Sequence, residues 1–271
     1  MIIGIRGSEL ALKQADIAVE KLGLKNYNIK IIKTKGDRIR EPLQKVGTGV
    51  FTKELDQALI KGKIDIAIHS LKDIPVENFP KELVIACIPK RDDPKDCLVG
   101  KLREGSVIGT DSVRRQYELD NLYKKLNLKF KSLRGNIKTR LKKLENGEYG
   151  AVVMAKSALD RLGLTKKINK IFSIKEMVPA AGQGAIAVVA RKKDNFIFKK
   201  DKLYDCCILE REFIKGLGGC KKAVGAYCDW KDERFSLLGL IYRNNKRILV
   251  NFSGSEKEVK NKMRKWKAMY T

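Results

Sequence analysis

Apolar positions along the 271-residue chain follow two alternating periods. "MIIGIR" is a short apolar run that predicts a strand. After it, Leu12, Ala15, Ala18, Val19 and Leu22 recur at helical spacing, with Ser8 placed to cap the helix they define. "YNIKIIKT" predicts a second strand, "FTKELDQALIKG" a helix that stops at Gly62, and "IDIAIHS" a third strand apolar on both faces. "LVIACI" at 83–88 follows. The polar segment "PKRDDPKD", with proline near each end, predicts a crossing between domains.

A second alternating block begins there. "SVIG" leads into a helix from about Ser112, and "LKFKSLRG" is a strand running into a helix that starts at Asn136 and stops at Gly147. "YGAVVMA" is a strand followed by another helix. "EMVPAAGQGAIAVVA" reads as a return crossing whose final strand rejoins the first sheet. From about residue 201 come a helix, "DKLYDCCILEREFIKG", and strands that include "RFSLLGLIY" and "RILVNF". The last element, "SEKEVKNKMRKWKAMY", has a capping box at Ser255 and Glu258 and an apolar stripe of Val259, Met263 and Trp266. The pattern predicts an α/β fold of two α/β domains joined by two crossings, plus a small C-terminal α+β domain. The expected domains are residues 1–88 with 184–200, residues 92–178, and residues 201–271. Such pairs bind ligands in the cleft between them, at the carboxyl ends of strands.

Composition narrows the partners. The formal net charge is +26, and 42 of the 58 basic residues are lysine. The excess points to an anionic partner, either nucleic acid or a polycarboxylate, or to a lysine-rich surface. No zinc-finger spacing, RNP-like aromatic run or isolated basic region accompanies the charge, so no nucleic-acid partner is expected. No apolar run is long enough to span a membrane, and the first residues carry charge at Arg6 and Glu9, so a cytoplasmic protein is expected. The six cysteines form no C-x-x-C pair, which argues against zinc and for free thiols. No association seam is visible, so a monomer is expected.

The arginines are few and concentrated at turns. Arg6 and Ser8 follow the first strand, and "HSLKD", with Ser70, Lys72 and Asp73, follows the third. Ser112, Arg114 and Arg115 start one helix, while Arg134 precedes the Asn136 cap of another and Arg140 lies one turn further on. Helix N-termini attract anions and arginine adds a fork of donors, so four such turns at strand ends predict a shared anion-binding cleft. Asp73 is the lone acid among them. In a cationic cleft its carboxylate stays ionised and can stabilise a developing cation or pass protons; the alternative is an ordinary turn aspartate. The only histidine, His69, sits on its strand's own alternation and is expected to order the turn through a backbone contact. On the glycine-rich "GLGGCKKAVG" loop, Lys221 and Lys222 favour the thiolate of Cys220, the one cysteine expected to be reactive.

These segments together resemble the porphobilinogen deaminase (hydroxymethylbilane synthase) family nearly end to end. The resemblance rests on "KVGTGVFTKELDQAL", "AIHSLKDIPV", "GTDSVRRQ", "LRGNIKTRLKKLENGEYGAVVMA", "RLGL", "VPAAGQGAIAV" and "GGCKKAVG". It implies a three-domain protein whose first two domains are like those of periplasmic binding proteins. It also implies a dipyrromethane cofactor thioether-linked to Cys220, and the deaminating condensation of four porphobilinogen molecules followed by hydrolytic release of a linear tetrapyrrole. By motif, Asp73 is the catalytic residue, acting at pyrrole nitrogens. Lys72, Asp73, Ser112, Arg114, Arg115, Arg134 and Arg140 contact the cofactor. Arg6, Ser8, Ser70, Arg134, Arg140, Arg161 and Gln183 contact the substrate. No metal is implied.

Three departures stand out. Glu9 replaces a proline common after the serine, which suggests a less rigid start to the first helix. "KVGTGVF" is one residue short and leaves Lys45 as that loop's only basic residue, and "AIAVVARKKD" lacks a cysteine often found there. A non-catalytic two-lobed solute-binding protein is the competing reading of the same shape, and the thiol on its glycine loop argues against it.

Overall fold

Strand β1 (Ile2–Ile5) runs into helix α1 (Glu9–Leu22), which Ser8 caps by accepting a hydrogen bond from the Ala11 amide at 3.2 Å. The computed structural model describes residues 1–38, 49–196, 198–218 and 222–270. β2 (Asn28–Ile31), the single-turn helix α2 (Lys35–Arg38), α3 (Lys53–Ile60) and β3 (Ile66–Ser70) follow. A 3-10 turn at Leu71–Asp73 leads on to β4 (Leu83–Arg91). After the polar crossing come β5 (Asp96–Gly100), β6 (Val107–Gly109), α4 (Val113–Leu122) and β7 (Lys129–Lys131). Then α5 (Ile137–Glu145), β8 (Ala151–Ala155), α6 (Lys156–Arg161) and β9 (Lys170–Ile171) complete the second block. β10 (Ala185–Arg191) returns to pair with β3 and β4.

Two five-stranded sheets result, in the orders β2-β1-β3-β10-β4 and β7-β6-β8-β5-β9. Each has three parallel strands, then one antiparallel strand, then an outer strand. In each sheet the antiparallel strand is the one that enters from a crossing. This mixed α/β arrangement puts the carboxyl ends of β1, β3, β6 and β7 at the loops that carry the arginine turns. Two strands are shorter than their apolar runs. β2 and β7 are edge strands, and all four residues of β2 are exposed, so only part of each run finds a hydrogen-bonding neighbour.

The third unit packs α7 (Lys202–Ile214) and α8 (Glu256–Tyr270) on an antiparallel sheet of β11 (Val224–Lys231), β12 (Arg234–Arg243) and β13 (Lys246–Gly254). Its two hairpins turn on Asp232-Glu233 and Asn244-Asn245, all four at positive φ, as tight two-residue turns require. The α8 capping box forms: the Ser255 amide donates to Glu258 at 2.7 Å, and Val259, Met263 and Trp266 are buried.

Helix α7 is apolar on two faces and ties this unit to the first sheet. Cys206, Leu209 and Phe213 belong to the core of the third unit. Cys207, with Leu203, Tyr204 and Ile208, packs against the first sheet. Charged joints reinforce the packing. Arg91 donates to both carboxylate oxygens of the fully buried Glu210, at 2.6 and 3.2 Å, and Glu210 also accepts from the Gly182 and Cys228 amides. Arg247 of β13 donates twice to Glu118 of α4, which fastens the same unit to the second sheet.

Candidate functional site

At the carboxyl ends of β1 and β3, Arg6, Ser8, Phe51, Ser70 and Asp73 line one cavity of about 50 Å³. Ser70 is fixed by accepting from Gln14 of α1 at 2.7 Å. Asp73 ends the 3-10 turn, and that turn is clasped from behind. Arg211 of α7 donates to the carbonyls of Ile74 and Pro75 at 2.8 and 2.9 Å, with a longer contact to Leu71. The helix that leads toward the cysteine loop therefore also holds the main chain around Asp73.

The second lobe approaches from β6 and β7. The Arg6 guanidinium lies 4.3 Å from the Phe51 ring centroid and that of Arg134 lies 5.9 Å from it, so one aromatic ring meets a cation from each lobe. Arg134 also faces Asp111 at 3.8 Å. Arg140 donates to the Gly135 carbonyl at 2.8 Å. Burial pulls the Arg140 guanidinium down to about 10; Arg115 and Arg134 add to the drop, while Asp111 and Asp73 oppose it.

Behind these groups lies a buried network. Asp96, the first residue of β5, is fully buried and accepts from Arg114 at 2.7 Å, from Arg115 at 2.7 and 3.1 Å, and from Gln183 at 3.0 Å. Burial raises the Asp96 carboxyl, but the two guanidiniums and Lys72 more than offset this and hold it well below the usual range. The Gln183 carbonyl oxygen accepts from Lys72 at 3.2 Å. Burial brings the Lys72 ammonium down to about 8, helped by Arg115 and opposed by Asp73 and Asp96. Gln183 thus sits in the return crossing with a contact to each lobe.

The site residues expected from sequence fall into three groups. Arg6, Ser8, Ser70 and Asp73 share the cavity wall. Arg134 and Arg140, with Lys72, bring cations to it from both lobes. Arg114 and Arg115 are buried and hydrogen-bonded to Asp96 and to the carbonyls of Val178 and Val153, so one of their two charges is neutralised internally. Ser112 caps α4 by accepting from the Arg115 amide at 3.4 Å. Arg161 is bound to Asp92 of one crossing at 2.7 Å and to the Gly184 carbonyl of the other, which makes it a clamp on the two connecting segments. Cys220 and Lys45 lie outside the described residues.

His69 differs from the expectation in one respect. Its main chain pairs with Ala187 of β10, but its Nε2 is buried without a hydrogen-bond partner. Burial, with help from the Arg6 charge, lowers the imidazole to about 3. That burial holds the ring in its neutral form, and the residue lines the same cavity as Asp73. At Glu9, α1 keeps its Ser8 cap despite the missing proline, and the Glu9 carboxylate pairs with Lys138 of α5 at 2.7 Å, joining the two lobes at an exposed position.

The sequence reading missed Phe51, Asp96 and Arg211. Asp96 and Arg211 carried a usable signal, because each is a charged residue at an otherwise apolar position of a buried element.

A family model described as "Porphobilinogen deaminase, dipyromethane cofactor binding domain" matches residues 1–199. A porphobilinogen deaminase from Helicobacter acinonychis (strain Sheeba) is 44% identical over 260 residues, covering 89% of this chain and 84% of its own. The chain belongs to the porphobilinogen deaminase family. Another member, from Alkaliphilus metalliredigens (strain QYMF), is 40% identical over 268 residues, covering 92% of this chain and 84% of its own. Among solved structures, an ABC transporter from Parabacteroides distasonis aligns with 72% of this chain and 66% of its own, at 14% identity and a TM-score of 0.43. Among the described residues no group of three or more histidine, cysteine, aspartate or glutamate side chains could hold a metal ion, and no helix is long and apolar enough to cross a membrane.

Proposed function

We propose that this chain is a hydroxymethylbilane synthase that condenses four porphobilinogen molecules, with loss of ammonia from each, and releases the linear tetrapyrrole by hydrolysis. One observation carries the reading: the Asp73 carboxylate lines one cavity with the Arg6 guanidinium, and its charge is felt by both Lys72 and Arg140. A nucleic-acid site needs phosphate-binding cations and stacking platforms, and an acid at the centre opposes it.

The residues fit a dipyrromethane group. It is polyanionic, and Arg115 and Arg134 lie close enough to Arg140 for their charges to be felt there. When bound, that group supplies the nucleophilic pyrrole carbon on which the chain is started. Cys220 would anchor it through sulfur. Lys72, Ser112, Arg134 and Arg140 would take its carboxylates, with Arg114 and Arg115 adding the one net charge that Asp96 leaves them. Arg6, Ser8 and Ser70 would take the acetate and propionate of the incoming substrate, with Gln183 and Arg161 keeping the crossings in register. In this reading the lobes are residues 1–88 with 184–200 and residues 92–178, and residues 201–271 carry the cysteine loop.

Asp73 supplies the chemistry. Departure of ammonia leaves positive charge spread over the substrate pyrrole and its nitrogen. A fixed carboxylate near that nitrogen stabilises the charge as it forms, with no reorganisation cost, and it can take up the proton that restores aromaticity after carbon–carbon bond formation. The purified protein incubated with porphobilinogen should release four ammonia molecules per linear tetrapyrrole. Binding of porphobilinogen without ammonia release would favour a solute-binding protein instead.

A further inference from the structure

Asp111 stands on the turn between β6 and α4, one residue before the Ser112 cap. Its side chain is only 9% exposed, and its Oδ2 is buried with no hydrogen-bond partner. Arg134 pairs with it at 3.8 Å, beyond hydrogen-bond length. Asp96 is held differently, meeting Arg114 and Arg115 at 2.7 Å each, the length of a charge-assisted hydrogen bond. A buried carboxylate oxygen left without a donor is costly. It stands, moreover, among cations that the reading above assigns to ligand carboxylates.

We infer that Asp111 is an internal competitor for those carboxylates: it balances Arg134 and Arg140 before a ligand arrives and yields Arg134 to the ligand's acid group afterwards. The inference rests on the carboxylate-binding reading of the cleft. Two features support it. Asp111 opposes the depression of Arg140, so its charge reaches both arginines. The 3.8 Å separation means that little is lost when Arg134 turns to a better-placed acid. With Asp73 as its only acid, the cleft would hold the tetrapyrrole, which keeps every carboxylate of its four precursors, more tightly and release it more slowly. An acid of fixed charge lowers the affinity for each carboxylate alike, so it trades substrate affinity for release.

The test uses the holoenzyme with porphobilinogen as the probe. Asp111→Asn keeps the shape and removes the charge, and Asp111→Ser repeats the test should the amide disturb folding. Both should lower KM about three- to tenfold, lower kcat because product leaves more slowly, and steepen the rise of KM with salt. A residue that merely supports the fold would instead raise KM and lower stability, and an unchanged or raised KM in both variants overturns the inference. Arg134→Gln separates the two levels of the argument. If it raises KM while the Asp111 variants do not lower it, the Asp111 inference alone fails. If neither arginine nor aspartate moves KM, the carboxylate-binding reading of the cleft fails with it.

Discussion

Asp73→Asn is expected to lower kcat about 10²- to 10⁴-fold while the fold and the bound cofactor are kept. The substitution is isosteric and removes only charge and basicity. The 3-10 turn should survive it, because Arg211 holds that turn through the main-chain carbonyls of Ile74 and Pro75 and not through the Asp73 side chain. The effect on KM has a definite sign. Loss of a negative charge beside Lys72 and Arg140 strengthens the field that draws carboxylates in, so KM should stay level or fall. Steady-state kinetics on the purified variant check both. Turnover close to wild type would mean that a different group stabilises the departing-ammonia step, and a large rise in KM with kcat retained would make Asp73 a binding residue.

The second large effect concerns stability. Asp96→Ala should destabilise the protein by about 3–5 kcal/mol at neutral pH, because it leaves two buried guanidiniums facing each other without the acid that pairs them. Its acid dependence should change too. The Asp96 carboxyl titrates below the usual range in the folded chain, so its contribution is complete above about pH 4, the unfolded value, and fades as pH falls below it. Between about pH 2 and 4 the wild type should therefore gain stability with rising pH by an amount that the variant lacks. Denaturation midpoints measured across that range decide the matter. Equal stability of the two proteins at pH 7 would mean that the Asp96 network contributes nothing net.

Much of the architecture is legible in the sequence because it is written in short-range periodicity. The Ser8, Ser112 and Asn136 caps, the buried run of β3 and the fully apolar β8 all follow from spacings within a dozen residues. The arginine turns are legible for the same reason: a helix start after a strand tells where a side chain begins. What the side chain meets is a long-range matter. Arg114 and Arg115 begin at a helix start as expected, yet they reach back 18 and 19 residues to an acid at the start of β5. The Arg211 clasp spans 137 residues to Ile74, and the Gln183 contact with Asp96 spans 87, distances over which local pattern carries no information. Phe51 shows the limit most plainly. Its role between Arg6 and Arg134 depends on the closure of two lobes, and no spacing near residue 51 encodes that.

Two acidic positions carry different weights. Glu9 costs α1 nothing at its cap and adds an exposed ion pair with Lys138, which contributes little on its own in water. Asp111 is the more consequential position, since its charge lies inside the cation cluster itself.

The central claim is that the cleft is built around a polycarboxylate anchored by sulfur at residue 220 and presented to Asp73. Intact-protein mass spectrometry tests it most directly. The active wild-type protein should be heavier than its sequence by one two-pyrrole adduct, and Cys220→Ser should have the mass of its sequence and no turnover. An active wild-type protein at its unmodified mass, or an adduct that persists in Cys220→Ser, would contradict the account.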